Sequence, residues 1–186
     1  MNTWIEGKVY AMGKSEKETA TLLKNLAAEH FPGAVNYLDN FHSTLLFIGS
    51  KYPVEEVKPP FVEAGVLDYH FQSADRDYVP ILGGEKDDKI LLTYTCPSQS
   101  MLFKSLYDLY SSQGMKPEHR LQRGWLFGYT PHVTLAEFSS KQHAQYSLQL
   151  GNQAFRRHLA EESPSLSIAD FHLYRDLNRK GKQLVI

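Results

Sequence analysis

Two short stretches share a pattern suited to acid–base chemistry on an anion: His42-Ser43-Thr44-Leu45 and His132-Val133-Thr134-Leu135, 90 residues apart. Imidazole serves as acid or base near neutral pH because its unperturbed pKa is about 6.5. Side chains alternate faces along a strand, so a His and a Thr two positions apart point the same way, while Ser43 and Val133 point into the opposite layer. With the two strands near each other in one sheet, two imidazoles flank a single phosphate and two hydroxyls donate hydrogen bonds to its non-bridging oxygens. His42, Thr44, His132 and Thr134 are therefore the candidate catalytic residues. The other histidines, His30, His70, His119, His143, His158 and His172, have no such context, and none stands at a recurring metal-ligand spacing, so no metal site is expected.

The elements that must hold these residues are readable from periodicity. Residues 4–12 are rich in large and β-branched side chains and predict a strand; Ser15 and Glu18 then stand at capping-box spacing ahead of a helix that runs to Phe31-Pro32-Gly33. The segment 34–50 predicts a strand pair whose second member carries the first motif. Apolar runs near 66–72, 78–83 and 89–95 predict further strands, with Gly83-Gly84 and Asp87-Asp88 as turn-forming pieces rather than a phosphate loop. Ser98 opens a second helix extending to Gly114, followed by a basic loop through Lys116, Arg120 and Arg123. Residues 129–138 return to strand character, 140–160 predict a helix, and SLSIADFHLYR with QLVI predicts a closing hairpin. The strand–helix–strands order occurs twice without a regular βαβα rhythm, which implies an α+β domain over residues 1–186 and suggests an internal duplication.

With these motifs and this order of elements, the chain resembles the 2H phosphoesterase superfamily, which includes the LigT-like RNA 2′,3′-cyclic phosphodiesterases. The length, the motif separation, the GYTPHVTLAEF strand and the terminal LYR…GKQLVI segment carry the likeness. It implies a bilobal, pseudo-twofold α+β fold, with two antiparallel sheets lining a central groove and helices outside. It also implies a metal-independent site without cofactor, in which His42, Thr44, His132 and Thr134 are the motif residues. A second likeness, to the phage anti-CBASS phosphodiesterases that destroy cyclic oligonucleotide signals, rests on the opening GKVYAM strand and makes Tyr10 a groove residue. Glu161, Glu162 and Asp170 are the alternatives for that group's acidic groove residue. Trp125, Tyr129, Arg123 and Arg175 complete the expected substrate contacts, the aromatics through base stacking and the cations through phosphate.

Composition narrows the partners. Hydrophobic residues at 42 % and charged residues at 22 % match a globular chain able to bury a core, not a disordered or fibrous one. Twenty Lys and Arg against 21 Asp and Glu make a poor footprint for a protein that neutralises many phosphates along a duplex. The single cysteine, Cys96, excludes a disulfide framework and fits a reducing compartment. The expected protein is an untargeted cytoplasmic monomer, in the host cytoplasm if viral, with no membrane partner. Its expected activity is hydrolysis of a small nucleotide phosphodiester: a cyclic oligonucleotide, a 2′,5′-linked oligonucleotide or a 2′,3′-cyclic phosphate. RNA-end processing, 2′,5′ ligation and non-catalytic nucleotide sequestration are the alternatives.

Overall fold

The computed structural model describes residues 4–15, 17–38, 41–53, 67–70, 78–114, 116–117, 129–176 and 182–184; for 4–14, 47–53, 67–68, 70, 169–176 and 182–184 the backbone alone is described. Among these residues the order is β1 (Trp4–Ser15), α1 (Lys17–His30), β2 (Asn36–Tyr37), β3 (His42–Pro53), β4 (Leu67–His70), β5 (Tyr78–Gly83), β6 (Lys89–Tyr94), α2 (Pro97–Ser112), β7 (His132–Glu137), α3 (Lys141–Glu162), β8 (Ser165–Asp176) and β9 (Lys182–Leu184). The class is α+β, with two antiparallel sheets. One runs β3-β1-β8-β4, with β9 continuing along the same strand β8; the other runs β2-β7-β6-β5.

The predicted helices and strands form, except that the two strands expected to pair within 34–50 do not: β2 pairs with β7 and β3 with β1, in different sheets, and several element ends shift for identifiable reasons. Ser15 closes β1 instead of capping α1: its hydroxyl donates to the Phe41 carbonyl at 3.2 Å, and its N–H donates to the same oxygen at 2.9 Å. The second helix starts at Pro97, with Cys96 as its N-cap, because proline already has helical φ and needs no N–H partner in the first turn. In α3 the Ser140 hydroxyl accepts from the His143 N–H at 3.3 Å, a side-chain cap.

Each helix buries one stripe. Ala20, Leu23, Leu26 and Ala27 face inward from α1, and Ala144, Ser147, Gly151, Phe155 and Leu159 from α3. These two helices pack on each other, α3 against β5 and β6 and α1 against β7 and β2, while α2 packs on β3. A Cβ at Gly151 would lie 1.9 Å from the His30 carbonyl oxygen, so glycine at this point lets the end of α1 press against α3. Strand β6 is covered on both faces: Ile90, Leu91, Leu92, Thr93 and Tyr94 are all buried. It therefore forms the spine of its sheet, between β5 and the motif strand β7.

Candidate active site

The two His-x-Thr motifs occupy equivalent local settings. On β3 and on β7 the five residues starting at the histidine alternate in the same way: His and Thr half-buried, the residue between them buried, and the next two both buried. The strand pairing explains that last doublet. Opposite β3, Ala11 pairs with Leu46 and Met12 with Thr44, so Leu45 is passed over. Opposite β7, Ile90 pairs with Ala136 and Leu91 with Thr134, so Leu135 is passed over. Each motif thus ends in a β-bulge at its leucine. A bulge lets consecutive residues turn to the core and re-aims the side chains before it.

The strands do not share a sheet, contrary to the single-sheet arrangement expected from the sequence. They belong to different sheets, which meet where β3 packs on β7. A groove of about 600 Å³ lies there. Thr44 reaches it from one sheet, His132 and Thr134 from the other, and the β5–β6 turn, Gly83 to Asp88, walls it with Lys89 and Leu91. His42 is not among its lining residues. It shares the face of Thr44 on β3, two positions or about 7 Å along the strand.

His132 is set for one protonation state. Its Nδ1 lies 3.0 Å from the Thr130 carbonyl oxygen, which can only accept, so Nδ1 carries the proton and Nε2 the lone pair of the neutral ring. Burial pushes its pKa below the ordinary 6.5, against a smaller opposing effect of the Thr130 hydrogen bond. The ring is therefore neutral at neutral pH.

Behind the motif strands runs a buried polar network with no conspicuous sign in the sequence. Gln99 of α2, fully buried, donates through Nε2 to Ser43 Oγ at 2.5 Å and to the Tyr129 hydroxyl at 2.7 Å, and its Oε1 accepts from the Tyr94 hydroxyl at 3.0 Å. The Tyr129 hydroxyl in turn donates to the Thr44 carbonyl at 3.2 Å. Ser43 is the residue between His42 and Thr44, and Tyr129 stands three residues before His132, so the network ties the backs of both motifs together. Nothing local in the sequence shows that a glutamine in the first turn of a helix faces inward.

Of the expected substrate contacts, Tyr129 is corrected. It is wholly buried, stacked on Phe103 with ring centroids 4.7 Å apart, and its hydroxyl is spent in the network, so it positions the strand instead of meeting a base. Glu161 and Glu162 end α3, exposed, beside Arg157 and His158 respectively, and do not line the groove. Tyr10 lies in β1 opposite Phe47 of β3 and Tyr174 of β8, and Arg175 in β8 opposite Val9 and Gln183, with their side chains outside the described residues. Asp170 is placed likewise in β8, and Arg120, Arg123 and Trp125 lie outside the described residues. Lys116 is exposed in its loop.

The β5–β6 turn is the groove wall that the sequence did not mark. Gly83-Gly84 forms the turn as expected, with Gly84 and Asp87 at positive φ, but only the pairing of β6 with β7 brings it over the second motif. Lys89 is ion-paired with Glu137 across the strands, and Asp87 with Lys141 at 2.7 Å. Lys86 is exposed on the same wall. No protein-family model matches the chain, and a search of curated proteins finds no match. No helix among the described residues is long and apolar enough to cross a membrane.

Proposed function

We propose that this protein is a phosphodiesterase of the two-histidine type, acting on a small nucleotide in the groove between its two sheets, and that its fold is the bilobal 2H arrangement. The observation that carries the reading is the meeting of Thr44 with His132 and Thr134 in one groove, although the two strands lie 90 residues apart and in different sheets. The matching bulges support a common origin of the two strands. In the reaction, neutral His132 removes a proton from the attacking water or ribose hydroxyl through Nε2, the new P–O bond forms, and His42 protonates the oxygen that leaves phosphorus. Thr44 and Thr134 donate hydrogen bonds to the non-bridging oxygens as charge builds on them. Lys86, on the turn, supplies a cation to a second phosphate of the same ligand.

Chromatography of purified protein incubated with cyclic di- and trinucleotides, 2′,5′-oligoadenylate and 2′,3′-cyclic mononucleotides tests this. Linearised, shortened or ring-opened product from at least one of them is the expected result. Recovery of every ligand intact after denaturation would overturn it, and tight retention without product would make the groove a sequestering one.

A further inference from the structure

Away from the groove, the ends of α1 and α3 bring together Glu29, His30 and His158, none of which lines it. His30 Nε2 lies 3.2 Å from His158 Nδ1, and Glu29 stands 3.8 Å from each of those nitrogens, one carboxylate oxygen to each. The three ligand atoms all lie within 4.8 Å of one another.

Two imidazole nitrogens at that separation must share a proton or a cation. A single proton satisfies the nitrogen pair but leaves the carboxylate too far from both for a hydrogen bond. A divalent cation satisfies all three. Two imidazoles on one tetrahedral zinc, each about 2.0 to 2.1 Å from the metal, stand about 3.3 Å apart, which matches this pair. The carboxylate faces each nitrogen with a different oxygen at 3.8 Å, and Glu29 is exposed, so rotation of its side chain can bring one oxygen to the ion.

The surroundings are those of a metal-bound histidine pair. The second ring nitrogen of His158, Nε2, lies 3.8 Å from the exposed Glu162 carboxylate one helical turn on, near enough for a rotamer change to make it the outer carboxylate that orients a ligating imidazole. His30 is held edge-on to Phe155, and Gly151 lets its backbone seat against α3, so its ring is prepositioned. We propose that Glu29, His30 and His158 bind a borderline divalent cation of the zinc class, with water completing the shell, and that the ion clamps α1 to α3. Nitrogen-rich, carboxylate-supplemented sets of this kind suit zinc, cobalt and nickel over calcium or magnesium. Sequence spacing hides the site, because its histidines are 128 positions apart.

Titrating the metal-free full chain with Co2+ and with Zn2+ alone tests the site. One equivalent should bind with the visible absorption of four- or five-coordinate cobalt, and zinc at about a hundredfold excess over Kd should raise Tm by roughly 5 to 10 °C. His158→Gln, at a half-buried position, should abolish both signals while leaving the fold and any groove turnover intact, and Glu162→Gln should weaken binding about 10-fold or more. Absence of a Tm rise, or equal binding by H158Q, would overturn the site and leave an imidazole pair sharing a proton. Chelation should lower the Tm of zinc-loaded protein without removing nucleotide turnover, so failure of this site and failure of the groove reading are separate results.

Discussion

The Thr130 carbonyl decides which nitrogen of His132 can take a proton, and the same short stretch decides when. Because burial holds the folded-state pKa of His132 below 6.5, as it also does for His30, the unfolded chain binds more protons than the folded one once pH falls through 6.5. Stability is therefore full above that value and declines below it. Glu137 adds a second loss at lower pH: its hydrogen bond from Lys89 depresses its pKa below 4.5, and the stability this contributes disappears as pH falls through the folded-state value. Thermal melts of metal-free protein should show Tm constant from pH 8 to 7, lower at pH 5.5 and lower again at pH 4; a Tm that rises on acidification to 5.5 would contradict the assigned direction. Thr134 makes a separate prediction. Thr134→Val keeps the β-branched shape that a strand accepts and removes one donor to the phosphate, so kcat should fall about 10²- to 10³-fold with little change in Tm. A stability change with unaltered kcat would make it a strand residue and no more.

At the scale of elements, the leucine shared by both motifs acquires a meaning that spacing alone did not supply. His and Thr at alternate positions are legible as a strand face, and the helices, strands and closing hairpin are legible from period and punctuation. The bulge at Leu45 and Leu135 is not, because a passed-over residue is defined by the partner strand. The start of α2 moved for a local reason: Ser98 is a good cap by type, yet Pro97 settles the first turn one residue earlier. Gln99 is the element-scale prediction. Gln99→Leu fits the space but leaves Ser43, Tyr94 and Tyr129 without their buried partner, at a cost of about 1 to 3 kcal/mol and a Tm loss of several degrees. Since the network reaches the backs of both motif strands, kcat should drop about 10- to 100-fold beyond any effect on KM. Unchanged kcat in a folded Q99L protein would confine the network to stability.

For the molecule as a whole, what the sequence could not show is long-range placement. The groove needs β3 from one sheet and β7 from the other, and its charged wall comes from a turn whose neighbours in sequence say nothing of the site it covers. Tyr129 illustrates the converse. An aromatic beside a catalytic motif suits base stacking by type, but the packing of α2 against β3 swallowed it. Near-zero net charge agrees with the size of the groove, about 600 Å³, which suits a small ligand, and its described lining offers Lys86 and Lys89 without an extended basic track. The central claim is that two distant strands act as one catalytic unit, and its most direct test is turnover of the best substrate from the nucleotide panel by wild type, His42→Ala, His132→Ala and the double variant. Each single change should lower kcat about 10²- to 10⁴-fold with the fold intact, and the double change should cost little more than the worse single one. Near-native turnover by either single variant, or losses that simply multiply in the double, would contradict it.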